Sequence, residues 1–283
     1  MIQLEALIRE SNDLEALPAS ASRLAGIFAD EDWEMDQVID AVSLDPAITS
    51  RVLRIANSAL FAGVEEITSV ERAAQRVGAG TMLALSVGMG ARSTLTCSMP
   101  EYGVAEGVLW RHSVASALAA DLVQLVCKVK VPAEAVAAAL LHDVGRLVLS
   151  RHMKPEVLEL LAQAQAVDGV DGLGAEMEIL EVHHGEVGGL IAQNWKLPAI
   201  IVTGITYHHN PGDVEDPHEQ LVCDVVCVAN AVATVRGFGL GHGETSTDEA
   251  RESCERLGMT DAGFQELCDL LSERVEQVLA WYK

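Results

Sequence analysis

Ala135-Val136-Ala137-Ala138-Ala139-Leu140-Leu141-His142-Asp143-Val144-Gly145-Arg146-Leu147 is the stretch that decides the fold. Its first seven residues are apolar without a break and read as a helix. A His-Asp pair closes that helix. A carboxylate placed there is costly to bury unless a cation or several donors compensate. Adjacent His and Asp side chains can both reach one metal ion where a helix ends. The alternative reading is that Asp143 caps the next turn, Val144 to Leu149.

The rest of the chain agrees with a helical setting. Its 283 residues fit one large domain or two modest ones. Hydrophobic residues make up 49% and aromatics only 4%, with Ala, Leu and Val abundant. That balance favours helices packed on helices over a β-sandwich. Asp45-Pro46 ends one helix and starts another, because the residue before proline avoids the helical region and proline suits a first turn. Thr68-x-x-Glu71 and Ser246-x-x-Glu249 read as capping boxes, and Gly78 as a stop. A long helix is expected from about Glu101 to Cys127, after a break at Ser98-Met99-Pro100-Glu101. Asn210 to Pro217 reads as a polar loop, Phe238 to Thr245 as a glycine-rich turn, and Thr260 to Tyr282 as a terminal amphipathic helix.

Several classes are disfavoured. The formal charge of −23 opposes binding to a nucleic-acid backbone or an anionic membrane surface, which need Lys and Arg. No apolar run is expected to approach the roughly 18 residues of a membrane helix. Met1 to Pro18 lacks a basic start and a long apolar core, so no signal peptide is expected. The six cysteines show no CxxC pair and read as reduced thiols of a cytoplasmic protein.

Nine histidines carry the remaining information. His112 shares a face with Val108, Ala115, Ala119 and Leu122, so it points inward as a satisfied core residue or as a ligand. His183-His184 precede Gly185-Glu186-Val187-Gly188, where His184 can open a helix running to Trp195. His208-His209 end a helix from Ala199 to Tyr207. Neighbouring side chains on a helix diverge by about 100°, so each pair is expected to place one ring on a shared ion. Imidazole plus carboxylate suits Fe, Mn, Zn or Ni better than Ca or Mg.

His112 and, thirty residues on, His142-Asp143 within Leu140 to Leu147 resemble the HD superfamily of metal-dependent phosphohydrolases. More narrowly, the chain is similar to the HDOD (HD-related output domain) family of bacterial signalling proteins. Leu17-Pro18, Asp45-Pro46-Ala47-Ile48-Thr49, Arg54-Ile55-Ala56-Asn57-Ser58-Ala59, Glu186-Val187-Gly188, Trp195-x-Leu197-Pro198 and His208-His209 complete the resemblance, over about residues 16–211.

The resemblance implies an all-α, two-part helical bundle. An N-terminal helical subdomain (1–98) would pack on an HD-like helical subdomain with a C-terminal extension (99–283). It implies metal ligands at His112, His142, Asp143, His184, His208 and His209, with His183 the alternate for His184, holding one or two divalent ions. Asn230 stands where HD enzymes usually carry a terminal Asp, which removes a negative charge. Asp224 is out of register for that role. Arg146 replaces a frequent lysine; it and Arg111 are expected to bind phosphate. No Gly-Tyr-Pro signature follows His209, so cyclic dinucleotide hydrolysis is not expected.

Two functions follow as alternatives. One is a signalling module that binds a partner protein or a nucleotide-like ligand with little or no turnover, receiving its signal in trans, with a homodimer as one form. The other is a metal-dependent phosphohydrolase in which Asp143 and Arg146 act catalytically. A third reading makes the metal a structural core. Asn57-Ser58 marks either a joint between subdomains or a local backbone tie. Trp281 and Tyr282 anchor the last helix either to the body or to a second chain.

Overall fold

A computed structural model describes residues 4–30, 32–61, 66–165, 172–240 and 250–282. Among these residues six α-helices form the first part: α1 (Leu4–Asn12), α2 (Ala19–Ile27), α3 (Met35–Ser43), α4 (Pro46–Ala56), α5 (Val70–Val77) and α6 (Ala79–Thr96). Ten form the second: α7 (Val108–Cys127), α8 (Ala133–Leu141), α9 (Arg146–Ser150), α10 (Pro155–Gln165), α11 (Gly172–Leu180), α12 (His184–Asn194), α13 (Ala199–Thr206), α14 (Pro217–Ala233), α15 (Arg251–Leu257) and α16 (Asp261–Trp281). No strand occurs among the described residues, and the fold is all-α. The first part docks through α6 on α7 and α8, and through α1 on α9 and α12.

Local chemistry sets the helix ends. The Asp45 carboxylate accepts from Ala47 N and Ile48 N, and Pro46 opens α4. Asp216 and Pro217 repeat the device at α14, and the Thr260 hydroxyl caps α16. The cap of α5 is Ser69, which accepts from Arg72 N, and not Thr68. The Ser246-x-x-Glu249 box lies outside the described residues. The long seventh helix starts at Val108 and not near Glu101. Gly103 and Gly107 both adopt positive φ, which interrupts a helix, and Met99 pairs with Val104 across the intervening turn.

The core is built on α7, α8, α13 and α14, which pack on one another. In α8 every residue from Glu134 to Leu141 is buried. One expectation is corrected here. The segment Pro217–Phe238 is long and apolar enough to cross a membrane by length and composition. Its most apolar window is 67% buried inside the fold, as suits a core helix.

Two open alternatives close. Asn57 donates to Leu53 O and Ile67 O and accepts from Ile67 N, so Asn57 ties local backbone, while the buried Ser58 hydroxyl has no hydrogen-bond partner among the described residues. Trp281 stacks on Phe61, Tyr282 packs edge-on against Trp110, and both are buried in the body of the same chain. Arg51 and Arg92, on α4 and α6, donate to the Trp281 and Tyr282 carbonyls. The last helix therefore clasps the first part of the chain. All six cysteines are free.

Candidate metal centre

Four segments bring the histidines together. His112 sits in the second turn of α7. His142 and Asp143 follow the last residue of α8. His184 is the first residue of α12, as the sequence predicts. His208 and His209 lie just beyond α13. Gly145 fixes the relation between two of these segments. A Cβ built there would lie 1.9 Å from the His184 carbonyl oxygen and 2.6 Å from Gly188 N. Only a residue without a side chain permits that approach.

Tautomers follow from the hydrogen bonds. His142 Nδ1 lies 2.8 Å from the Ala139 carbonyl, and His112 Nδ1 lies 3.2 Å from the Phe238 carbonyl. A carbonyl only accepts, so each Nδ1 carries a proton, and the neutral form of each ring turns a bare Nε2 inward. Those two nitrogens are 3.1 Å apart. Asp143 Oδ2 lies 3.3 Å from the first and 3.5 Å from the second. Three acceptors thus meet with no donor among them. Metal–ligand bonds of about 2.0–2.2 Å place neighbouring ligand atoms about 2.8–3.6 Å apart across octahedral and tetrahedral geometries. The triangle has that size, so these residues fit a divalent ion.

The second set is His184, His208 and His209, whose ligand atoms lie within 4.8 Å of one another. His184 Nδ1 bonds Glu176 Oε2 at 2.7 Å, and its Nε2 faces Asp143 Oδ1 at 3.2 Å and His209 Nε2 at 2.9 Å. His208 Nδ1 bonds the Ile205 carbonyl at 2.6 Å, leaving its buried Nε2 without a hydrogen-bond partner. Both rings of this His-His pair reach the same place, against the sequence expectation. The chain leaves the helix at Thr206, so helical divergence does not govern residues 208 and 209. The other pair splits as expected: His183 is the N-cap of α12, accepting from Gly185 N.

Glu176, on α11, was not singled out by sequence. It orients His184 by the carboxylate–histidine pairing common behind metal ligands. It also accepts from Tyr102 Oη at 3.2 Å and faces Arg146 at 3.5 Å. Arg146 donates to Asp143 Oδ1 at 2.8 Å. Burial alone would raise the Asp143 pKa, but the Arg146 guanidinium holds it well below the carboxylate range. Burial likewise opposes the ionisation of Glu176, yet His184 and Arg146 bring it down to about 2.

Other candidates lie elsewhere. Arg111 is not brought to the cluster: it is 48% exposed, pairs with Glu276 at 2.6 Å and covers the Phe238 ring. It is adjacent to His112 and so points to a different side of α7. Asn230 is buried on α14 and accepts from Thr234. Asp224 is taken by Arg256 and Ser253.

Acid should weaken this core. Burial keeps His142 and His209 neutral, each with a pKa pulled down to about 3. In the unfolded chain both titrate near 6.5. Between those values the unfolded state binds more protons. Stability is therefore full above about pH 6.5 and falls toward pH 3, by up to about 1.4 kcal/mol per pH unit for each ring. Urea midpoints of metal-free protein should drop between about pH 7.5 and 5.5. A flat midpoint would contradict neutral buried rings.

The family model for the HDOD domain matches residues 14–211. The chain belongs to the HDOD family. This HDOD protein resembles a crystal structure of an HDOD domain protein from Geobacter sulfurreducens, at 24% identity and TM-score 0.68, covering 98% of this chain and 96% of that one. It also resembles a candidate signal transduction protein from Marinobacter aquaeolei VT8, at 22% identity and TM-score 0.67, over 100% and 61% of the two chains. A third likeness is a candidate phosphohydrolase from Shewanella amazonensis SB2B, at 24% identity and TM-score 0.64, over 98% and 97%. At these identities the likeness concerns the fold. An uncharacterised protein of Treponema pallidum (strain Nichols) is 24% identical over 215 residues, which are 76% of this HDOD chain and 41% of that protein. The chain thus spans 61% of the Marinobacter structure and 41% of the Treponema protein.

Proposed function

We propose that this chain is a regulatory HDOD module built on a divalent transition-metal centre, with little or no turnover. The convergence of His112 Nε2, His142 Nε2 and Asp143 Oδ2, three acceptors without a donor, carries the reading. Fe, Mn, Zn and Ni all suit such ligands, and a bound ion would supply Lewis acidity there. His112, His142 and Asp143 would hold it. Glu176 and the Ala139 and Phe238 carbonyls keep the rings turned inward. The signal-transduction description of the Marinobacter structure is in keeping with this role.

Burial favours regulation over catalysis. None of His112, His142, Asp143, His184 and His208 is more than 2% exposed. An ion fits such a place, whereas a phosphate ester needs room beside the same groups. The partner would be a signalling protein or a nucleotide-like ligand acting on the surrounding helices, in the cytoplasm, with a homodimer as one assembly.

Hydrolysis is the competing reading, favoured by Arg146 next to Asp143 and by the description of the Shewanella structure. Metal-loaded protein incubated with bis(p-nitrophenyl) phosphate, p-nitrophenyl phosphate and a nucleotide panel decides between them. We expect no turnover above background. Metal-dependent turnover that disappears in Asp143→Ala would establish the phosphohydrolase instead.

A further inference from the structure

We propose that Arg146 stands in for a second metal ion and keeps the centre mononuclear, with its one ion on His112, His142 and Asp143. The inference rests on the metal reading above. Its basis is the different treatment of the two oxygens of Asp143. Oδ2 meets only the lone pairs of His112 and His142, at 3.3 and 3.5 Å, and no donor. Oδ1 faces the second histidine set through His184 at 3.2 Å, but it already accepts from Arg146 Nε at 2.8 Å. Joining two ions through this carboxylate would require Oδ1 to serve the second one. A permanent cation holds that oxygen first.

Arg146 is fixed where it is. Its side chain is 12% exposed, it lies 3.5 Å from Glu176 Oε1, and its guanidinium sits 5.8 Å from the centre of the Tyr102 ring. Tyr102 donates to the same Glu176 oxygen, which closes the bracket around the guanidinium. The second set has no carboxylate of its own. Its three ligands are imidazoles, and apart from Asp143 the acid beside them, Glu176, is engaged by His184 Nδ1 and Arg146. A dication there would gain no anionic ligand and would sit beside a positive charge. The first set supplies both an anion and a gap free of donors.

The test is the number of ions bound at saturation, measured by equilibrium dialysis against Zn(II) and, separately, Mn(II), followed by elemental analysis. Wild type should hold one ion per chain. Arg146→Met should bind a second ion, with its affinity raised roughly 10- to 100-fold over any residual second binding in wild type. Arg146→Lys, which keeps the charge, should stay at one. Should Arg146→Met fail to fold, His209→Ala decides: one ion retained supports the proposal, and loss of the ion overturns it. Two ions in wild type, or a folded Arg146→Met that still takes one, also overturn it. A wild type that takes none would instead sink the metal reading on which the proposal stands.

Discussion

Asp143→Ala should empty the centre and cost about 3–5 kcal/mol of folding stability. The carboxylate is buried and serves three purposes at once. Among the described residues it is the anion that groups with the His112–His142 pair. It neutralises Arg146, which is itself nearly buried, through a 2.8 Å hydrogen bond. It also meets His184 at 3.2 Å. Truncation leaves an enclosed guanidinium with only the longer 3.5 Å contact to Glu176, and weakening the compensation of a buried charge is among the more expensive single changes. Asp143→Asn should cost less, because its amide oxygen still accepts from Arg146 while the negative charge is gone. Urea unfolding of metal-free protein measures the stability term, and elemental analysis measures the metal. A loss under about 1 kcal/mol would mean that Arg146 has another adequate partner.

Gly145→Ala should be nearly as damaging, at about 3 kcal/mol, through sterics alone. The added methyl would sit 1.9 Å from the His184 carbonyl oxygen and 2.6 Å from Gly188 N. Both are backbone atoms of α12 and cannot rotate aside, so the segment carrying His142 and Asp143 must move away from the one carrying His184. Metal affinity should fall together with stability. Gly26→Ala is the matched control: nothing lies within 4 Å of its added Cβ, and it sits inside α2. That change should be neutral or slightly stabilising. Equal behaviour of the two variants in thermal unfolding would refute the close approach as a requirement of the site.

Much of this arrangement is legible in the sequence because local chemistry announces it. Asp45-Pro46, Gly78 and Thr260 each mark a helix end by a donor, acceptor or backbone preference confined to a few residues. His142-Asp143 at the close of an apolar helix points to the centre for the same reason, since a carboxylate there is costly to bury without a cation or several donors. What stayed hidden depends on distant parts of the chain. Glu176 is one of several glutamates between residues 172 and 188, and only its tertiary contacts with His184, Arg146 and Tyr102 single it out. Arg111 adjoins His112 in sequence, yet helix geometry turns it toward Glu276. The joint arrival of His208 and His209 depends on α13 stopping at Thr206, a boundary one residue earlier than periodicity placed it. Pro217–Phe238 shows the same limit from the other side. Its apolar length is a property of sequence, while its place in the core is a property of packing.

The central claim is that the inward-facing acceptors of His112, His142 and Asp143 hold a metal ion. Elemental analysis of protein purified without chelator or added metal, beside a His142→Ala/Asp143→Ala double variant, tests it most directly. Near-stoichiometric Fe, Mn, Zn or Ni in the wild type and none in the variant is the predicted result. Metal absent from both, with the wild type folded and unable to take up added ions, would contradict it.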